Sequence, residues 1–116
     1  MNQVDRKNYI SQFPYHDTPQ RLDCGQTISA PHMHGYALEI MLPYLLESPR
    51  DTVKMLDVGC GSGYLTATMG RWVHSQNNDG ATSIVPKKGL VYGMDIFPHL
   101  VDLTRSNLMK DDADLL

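Results

Sequence analysis

The stretch Asp57-Val58-Gly59-Cys60-Gly61-Ser62-Gly63 constrains this chain more than any other part of it. It follows a short apolar run, Val53 to Val58, that reads as a buried strand. It leads into residues 64–74, where Leu65, Met69, Trp72 and Val73 recur at helical spacing. Glycines alternating between a strand and a helix let the backbone turn tightly and let a ligand approach where a Cβ would clash. A second unit follows: Leu90 to Asp95 reads as a strand, and Pro98, Leu100, Leu103, Thr104, Asn107 and Leu108 mark a helix. Strand, glycine loop, helix, strand, helix argues for an α/β fold with a parallel sheet and right-handed crossovers.

The loop does not match a dinucleotide site, because Tyr64 stands where that pattern needs glycine or alanine. It does not match a phosphate loop either, since the Gly-Lys-Ser/Thr ending is absent. Its form is D-x-G-x-G-x-G, with Asp57 two residues before the first glycine. A carboxylate at a strand end suits a ligand with a cationic end. S-adenosylmethionine (SAM) carries both an ammonium and a sulfonium. Asp95 ends the second strand, where folds of this kind place an acid on ribose hydroxyls. The same position could instead cap the helix that starts near residue 97.

Composition narrows the field. Of 116 residues, 41% are hydrophobic, enough for one folded domain. Ten Lys and Arg against thirteen Asp and Glu give a formal charge of -3, so no broad cationic field is available for nucleic acid. Two cysteines, Cys24 and Cys60, cannot build a disulfide scaffold or a four-ligand zinc site unaided. No apolar run approaches the ~18 residues that a membrane span needs. The expectation is a soluble, cytoplasmic chain with no nucleic-acid or membrane partner.

The rest of the chain divides as follows. Residues 1–28 form an N-terminal arm, broken by Pro14, Pro19 and Gly25, with one helical turn near its start. Residues 29–46 read as a helix, with Ser29 as N-cap and Pro31 in the first turn. Met33, Ala37, Ile40, Met41, Tyr44 and Leu45 are its expected buried stripe, and Pro43 is expected to kink or end it. Residues 53–116 form the βαβα core, and the polar stretch 75–88 reads as a surface insertion. His32 and His34 lie two apart, which on a helix points them to different sides, so no metal site is expected. Cys60 reads as a small loop residue, and Met69 and Trp72 as core.

Thr27-Ile28-Ser29-Ala30-Pro31-His32-Met33-His34, followed by Leu56 to Ala67, resembles the protein-L-isoaspartate O-methyltransferase family. Asp5-Arg6 with Tyr9, Tyr15 to Gln20, and Val91-Tyr92-Gly93-Met94-Asp95 extend the likeness over nearly the whole chain apart from 75–88. The glycine loop alone points only to a SAM-dependent methyltransferase; the segment from Thr27 to His34 is far more specific. The resemblance implies a Rossmann-like methyltransferase fold. It also implies transfer of a methyl group from SAM to the free carboxylate of L-isoaspartyl residues in damaged proteins, leaving S-adenosylhomocysteine. The ester then closes to a succinimide that partly reopens as aspartate. By the same resemblance Ser29 lies at the active site, and Gln26, Thr27, Ile28, His34, Ser62 and Asp95 line the SAM pocket. Asp57, Gly59, Gly61 and Gly63 join them from the loop reading.

Members of the family begin upstream of Asp5 and continue well beyond Leu116. The expectation is a fold truncated at both ends and incomplete at its C-terminus, with apolar faces of the helices at 64–74 and 97–109 exposed. A monomer is the expectation for the family, with self-association the alternative for a truncated chain. The rival expectations are a non-catalytic SAM-binding fragment and another SAM-dependent methyltransferase.

Overall fold

The computed structural model describes residue 1 and residues 3–74 and 88–116. The insertion expected over 75–88 lies outside the described residues, except that Lys88 is the first residue of a strand.

Two parallel strands form the centre: β3 (Thr52–Val58) and β4 (Lys88–Met94). They pair in register from Thr52 opposite Lys88 to Val58 opposite Met94. The crossover between them includes α2 (Tyr64–Val73), and α3 (Pro98–Asp111) follows β4. This is the expected βαβα order. Upstream lie α1 (Pro31–Glu47) and a two-residue antiparallel pair, β1 (Gln20–Arg21) with β2 (Thr27–Ile28), which the sequence reading did not foresee. A single 3-10 turn, Arg6–Asn8, supplies the turn expected early in the arm.

Strand β3 is half-buried rather than fully buried. Val53, Met55 and Asp57 point inward, while Leu56 and Val58 are exposed. Leu38 and Leu45 of α1 and Met69 and Val73 of α2 pack with Val53 and Met55 in one core. Gly89 of β4 allows this close approach: a Cβ there would stand 2.8 Å from Val53 and 2.9 Å from Val73. A second core joins Val4, Tyr9 and Ile10 of the arm to Ile28, Tyr64, Ala67 and Leu108. Helix α2 is thus covered on both sides, and each of its residues is buried or half-buried. The exposed apolar face expected on α2 is therefore not seen, and α3 exposes Met109 among its large apolar residues. The outer sheet face exposes Leu56, Val58, Leu90, Tyr92 and Met94.

Helix α1 departs from expectation in three ways. Its N-cap is Ala30 and makes no side-chain cap bond; Ser29 stands one residue outside. Its buried residues are His34, Leu38 and Leu45, with Met41 and Leu42 partly buried, so Met41 and Leu45 of the expected stripe face the core and the rest of it is turned. Met33, Ile40 and Tyr44 face outward with Tyr36. Pro43 sits inside the helix and does not end it. Pro43 and Glu39, whose carbonyl loses its partner there, are both exposed, where water can replace the missing bond. The helix stops at Ser48, which precedes Pro49 and is held extended.

The two ends of the chain are joined through Asp112, which is buried. Its Oδ2 accepts from the Tyr9 hydroxyl at 2.5 Å, and its Oδ1 accepts from Arg71 Nη2 at 2.6 Å and Nε at 3.1 Å. Burial and Asp112 together push the Tyr9 hydroxyl well above its ordinary range. Removing one partner of such a group strands the other in low dielectric. Asp112→Ala is expected to cost about 3 kcal/mol in urea denaturation. Tyr9→Phe, which leaves the charge paired with Arg71, is expected to cost about 1 kcal/mol.

Candidate functional site

The parallel register sets Asp57 and Asp95 at the ends of adjacent strands. The glycine loop then folds over the end of β4. Gly59 N–H and Cys60 N–H both donate to the Met94 carbonyl, at 2.8 and 3.0 Å. Gly61 N–H donates to Asp95 Oδ2 at 3.0 Å, and Phe97 N–H donates to Oδ1 at 3.1 Å. Asp95 therefore braces the loop and the turn into α3, although it is not the N-cap of α3, which is Phe97. Gly63 is the N-cap of α2 with φ of 93°, and a Cβ there would come within 2.6 Å of Thr104 Cγ2. Glycine is needed at this position twice over, for the backbone and for the space.

A cleft of about 290 Å³ opens between this loop and the segment that leads into α1. Thr27, Ile28, Ser29 and His34 line it from one side, and Asp57, Gly59, Gly61 and Ser62 from the other. Residues far apart in sequence, grouped on separate grounds above, thus share one wall-to-wall space. Gln26 and Gly63 do not line it, and Asp95 reaches it only through the loop it holds. A larger cleft of about 580 Å³ runs beside β4 and between α2 and α3; among the described residues Cys60 is its one lining residue from the glycine loop.

Two groups in the smaller cleft are poised for a ligand. Ser62 is buried, and among the described residues its hydroxyl oxygen has no hydrogen-bond partner. Asp57 is buried and accepts from the Thr66 hydroxyl at 2.6 Å. Burial pushes the Asp57 carboxyl above its ordinary value, the Thr66 bond opposes that, and Asp95 adds to it. A cation entering here relieves the repulsion between the two acids. The donor set and space fit the ammonium and sulfonium ends of SAM and a polar group for Ser62.

The histidines separate. His32 is exposed and pairs with Asp17 at 2.8 Å. His34 is buried against Arg6 and Tyr64. Cys60 is buried, and burial raises its thiol above the ordinary value. Sequence reasoning assigned no role to Arg6, Tyr64 or Thr66. Tyr64 and Thr66 lie in the first turn of α2, outside the apolar spacing of Leu65, Met69, Trp72 and Val73.

Burial, and then the nearby Arg6 charge, push His34 from 6.5 down to about 4. The folded state thus holds fewer protons than the unfolded chain between these values, and stability is expected to fall as pH drops from 6.5 toward 4. Urea midpoints across this window test it; a His34→Gln variant is expected to lose part of that dependence. Gly63→Ala is expected to cost more than about 2 kcal/mol, read from the same midpoints.

A family model for protein-L-isoaspartate(D-aspartate) O-methyltransferase matches residues 1–116. The chain is 37% identical over 116 residues to a protein-L-isoaspartate O-methyltransferase of Caenorhabditis elegans, covering 100% of this chain and 44% of that relative. It is 33% identical to the Triticum aestivum protein-L-isoaspartate O-methyltransferase, again covering 100% of this chain and 44% of the relative. A solved structure from Plasmodium falciparum, described as a protein-L-isoaspartate O-methyltransferase in complex with S-adenosyl-L-homocysteine, superposes with a TM-score of 0.75 at 35% identity. That match covers 99% of this chain and 47% of the solved one. The chain spans less than half the length of these relatives, and its fold is a Rossmann-like methyltransferase fold, incomplete beside theirs. The chain belongs to the protein-L-isoaspartate(D-aspartate) O-methyltransferase family.

Proposed function

We propose that this chain carries the cofactor-binding part of a repair methyltransferase, one that moves a methyl group from SAM to the free carboxylate of L-isoaspartyl residues in damaged proteins. The observation that carries this reading is the cleft in which Thr27, Ile28 and Ser29 face the glycine loop, whose Ser62 hydroxyl has no partner among the described residues. When bound, SAM supplies an electrophilic methyl on a sulfonium. In this reading Asp57 takes the cationic end, and Gly59, Gly61 and Gly63 keep the loop close to it. Thr27, Ile28, His34 and Ser62 line the remainder, and Asp95 holds the loop and offers its remaining lone pairs to ribose hydroxyls. Ser29 orients the substrate carboxylate.

The substrate group is already ionised at neutral pH, so the residues have no strong base to provide. Their task is to align an oxygen, a carbon and a sulfur and to exclude water, which is catalysis by positioning. Cytoplasmic location and a monomeric state complete the reading; the two free thiols, Cys24 and Cys60, are in keeping with a reducing compartment. The exposed sheet face favours a second reading, in which the chain binds SAM but does not turn over alone.

The test is transfer of label from methyl-labelled SAM to an isoaspartyl peptide, with its aspartyl twin as control. Label on the isoaspartyl peptide alone is expected. Label on neither, from folded protein that binds SAM, favours the second reading; label on both contradicts the specificity. Asp57→Asn is expected to weaken SAM binding by about tenfold or more, through loss of a charged partner.

A further inference from the structure

Three residues that line the cleft are gripped from behind by one side chain. Arg6 belongs to the N-terminal arm, does not line the cleft, and is buried. Its Nη2–H donates to the Ser29 carbonyl at 2.6 Å. Its Nη1 lies 3.1 Å from His34 Nδ1. Its Cζ stands 5.0 Å from the centre of the Tyr64 ring, and the His34 and Tyr64 rings are themselves 5.2 Å apart. These three partners come from the β2–α1 loop, the first turn of α1 and the first residue of α2.

An arginine has donors only, so His34 Nδ1 must accept from it, and the ring proton must sit on Nε2. The Arg6 charge is costly where it stands. Among the described residues no carboxylate lies within ion-pair distance of it, and its Nε–H is buried without a partner. A neutral side chain would fill the space without that penalty. The penalty makes sense if the planar fork is needed to serve two acceptors at a fixed spacing while its charge sits over an aromatic ring.

We propose that Arg6 is a positioning residue for the cleft: it fixes His34 as the Nε2–H tautomer and pins the Ser29 carbonyl, so the wall from Thr27 to His34 is set before ligand arrives. The assignment rests on reading this cleft as the cofactor site. It makes the N-terminal arm part of the binding machinery, beyond its packing role. The burial that holds His34 neutral down to about pH 4 acts in the same direction, since a protonated ring could not accept from Arg6.

The test uses Arg6→Gln and Arg6→Lys in the whole protein, with two readouts. The first is the nitrogen-15 spectrum of the His34 ring at neutral pH, assigned by its loss in His34→Gln. The second is calorimetric titration with S-adenosylhomocysteine, expressed per folded molecule. The unaltered protein is expected to show a single Nε2–H tautomer. Arg6→Gln is expected to show mixed tautomers and about tenfold weaker binding. Arg6→Lys keeps the charge without the fork, so it is expected to fold, with mixed tautomers and an intermediate loss; it carries the test should Arg6→Gln not fold. A role in stability alone would lower the folded fraction without changing the ring spectrum or the affinity of folded molecules. An Nδ1–H tautomer in the unaltered protein, or variants matching it in both readouts, would overturn the proposal. Should the unaltered protein bind no S-adenosylhomocysteine, the methyltransferase reading falls, while the ring spectra still decide whether Arg6 holds His34.

Discussion

The parallel pairing of β3 with β4 is the constraint on which the candidate site depends. It carries Asp57 and Asp95 to neighbouring strand ends and presents the Met94 carbonyl to the loop that follows Val58. Two amides of that loop share this carbonyl, and a third is taken by Asp95. The loop is therefore fastened to the strand beside its own, and its position follows from the sheet rather than from glycine flexibility. Glycine permits the left-handed conformations; the hydrogen bonds select among them. Everything that faces the loop must be placed against this fixed point.

That placement comes from the arm and α1. The short β1–β2 pair brings Thr27 and Ile28 to the cleft, and the first turn of α1 brings the buried His34. Tyr9 edges onto the Tyr64 ring at 5.7 Å, so the arm also packs on the helix that the glycine loop begins. Asp112 ties the same arm to α2 and to the end of α3. Arm, loop, α2 and the end of α3 are coupled through buried polar groups as well as apolar ones. This kind of network fixes geometry more narrowly than hydrophobic contact alone.

What was legible in the sequence was local. The glycine loop, the two central strands and Pro31 at the start of α1 follow from short-range backbone rules, and the structure has them within a residue or two. The stripe on α1 was legible only at Met41 and Leu45, because that helix carries apolar residues on two faces. Met33, Ile40 and Tyr44 compete with Leu38, Met41 and Leu45, and the residue that heads the buried face is a histidine, which hydropathy discounts. Ser29 looked like a cap because serine caps helices well; its carbonyl is held by Arg6, and the helix begins two residues later. The ties from Arg6 to His34 and from Tyr9 to Asp112 span 28 and 103 residues. No periodicity reports contacts of that separation. The likeness to known relatives covered the site segments together, which spacing by itself could not do.

The central claim is that two separate segments form one binding cleft. A nitrogen-15 amide titration with S-adenosylhomocysteine tests it most directly. The account predicts that amides of Gly59, Gly61 and Ser62 and those of Thr27, Ile28 and His34 shift together, with one shared dissociation constant. Shifts confined to one segment, or centred on the larger cleft beside β4, would contradict it.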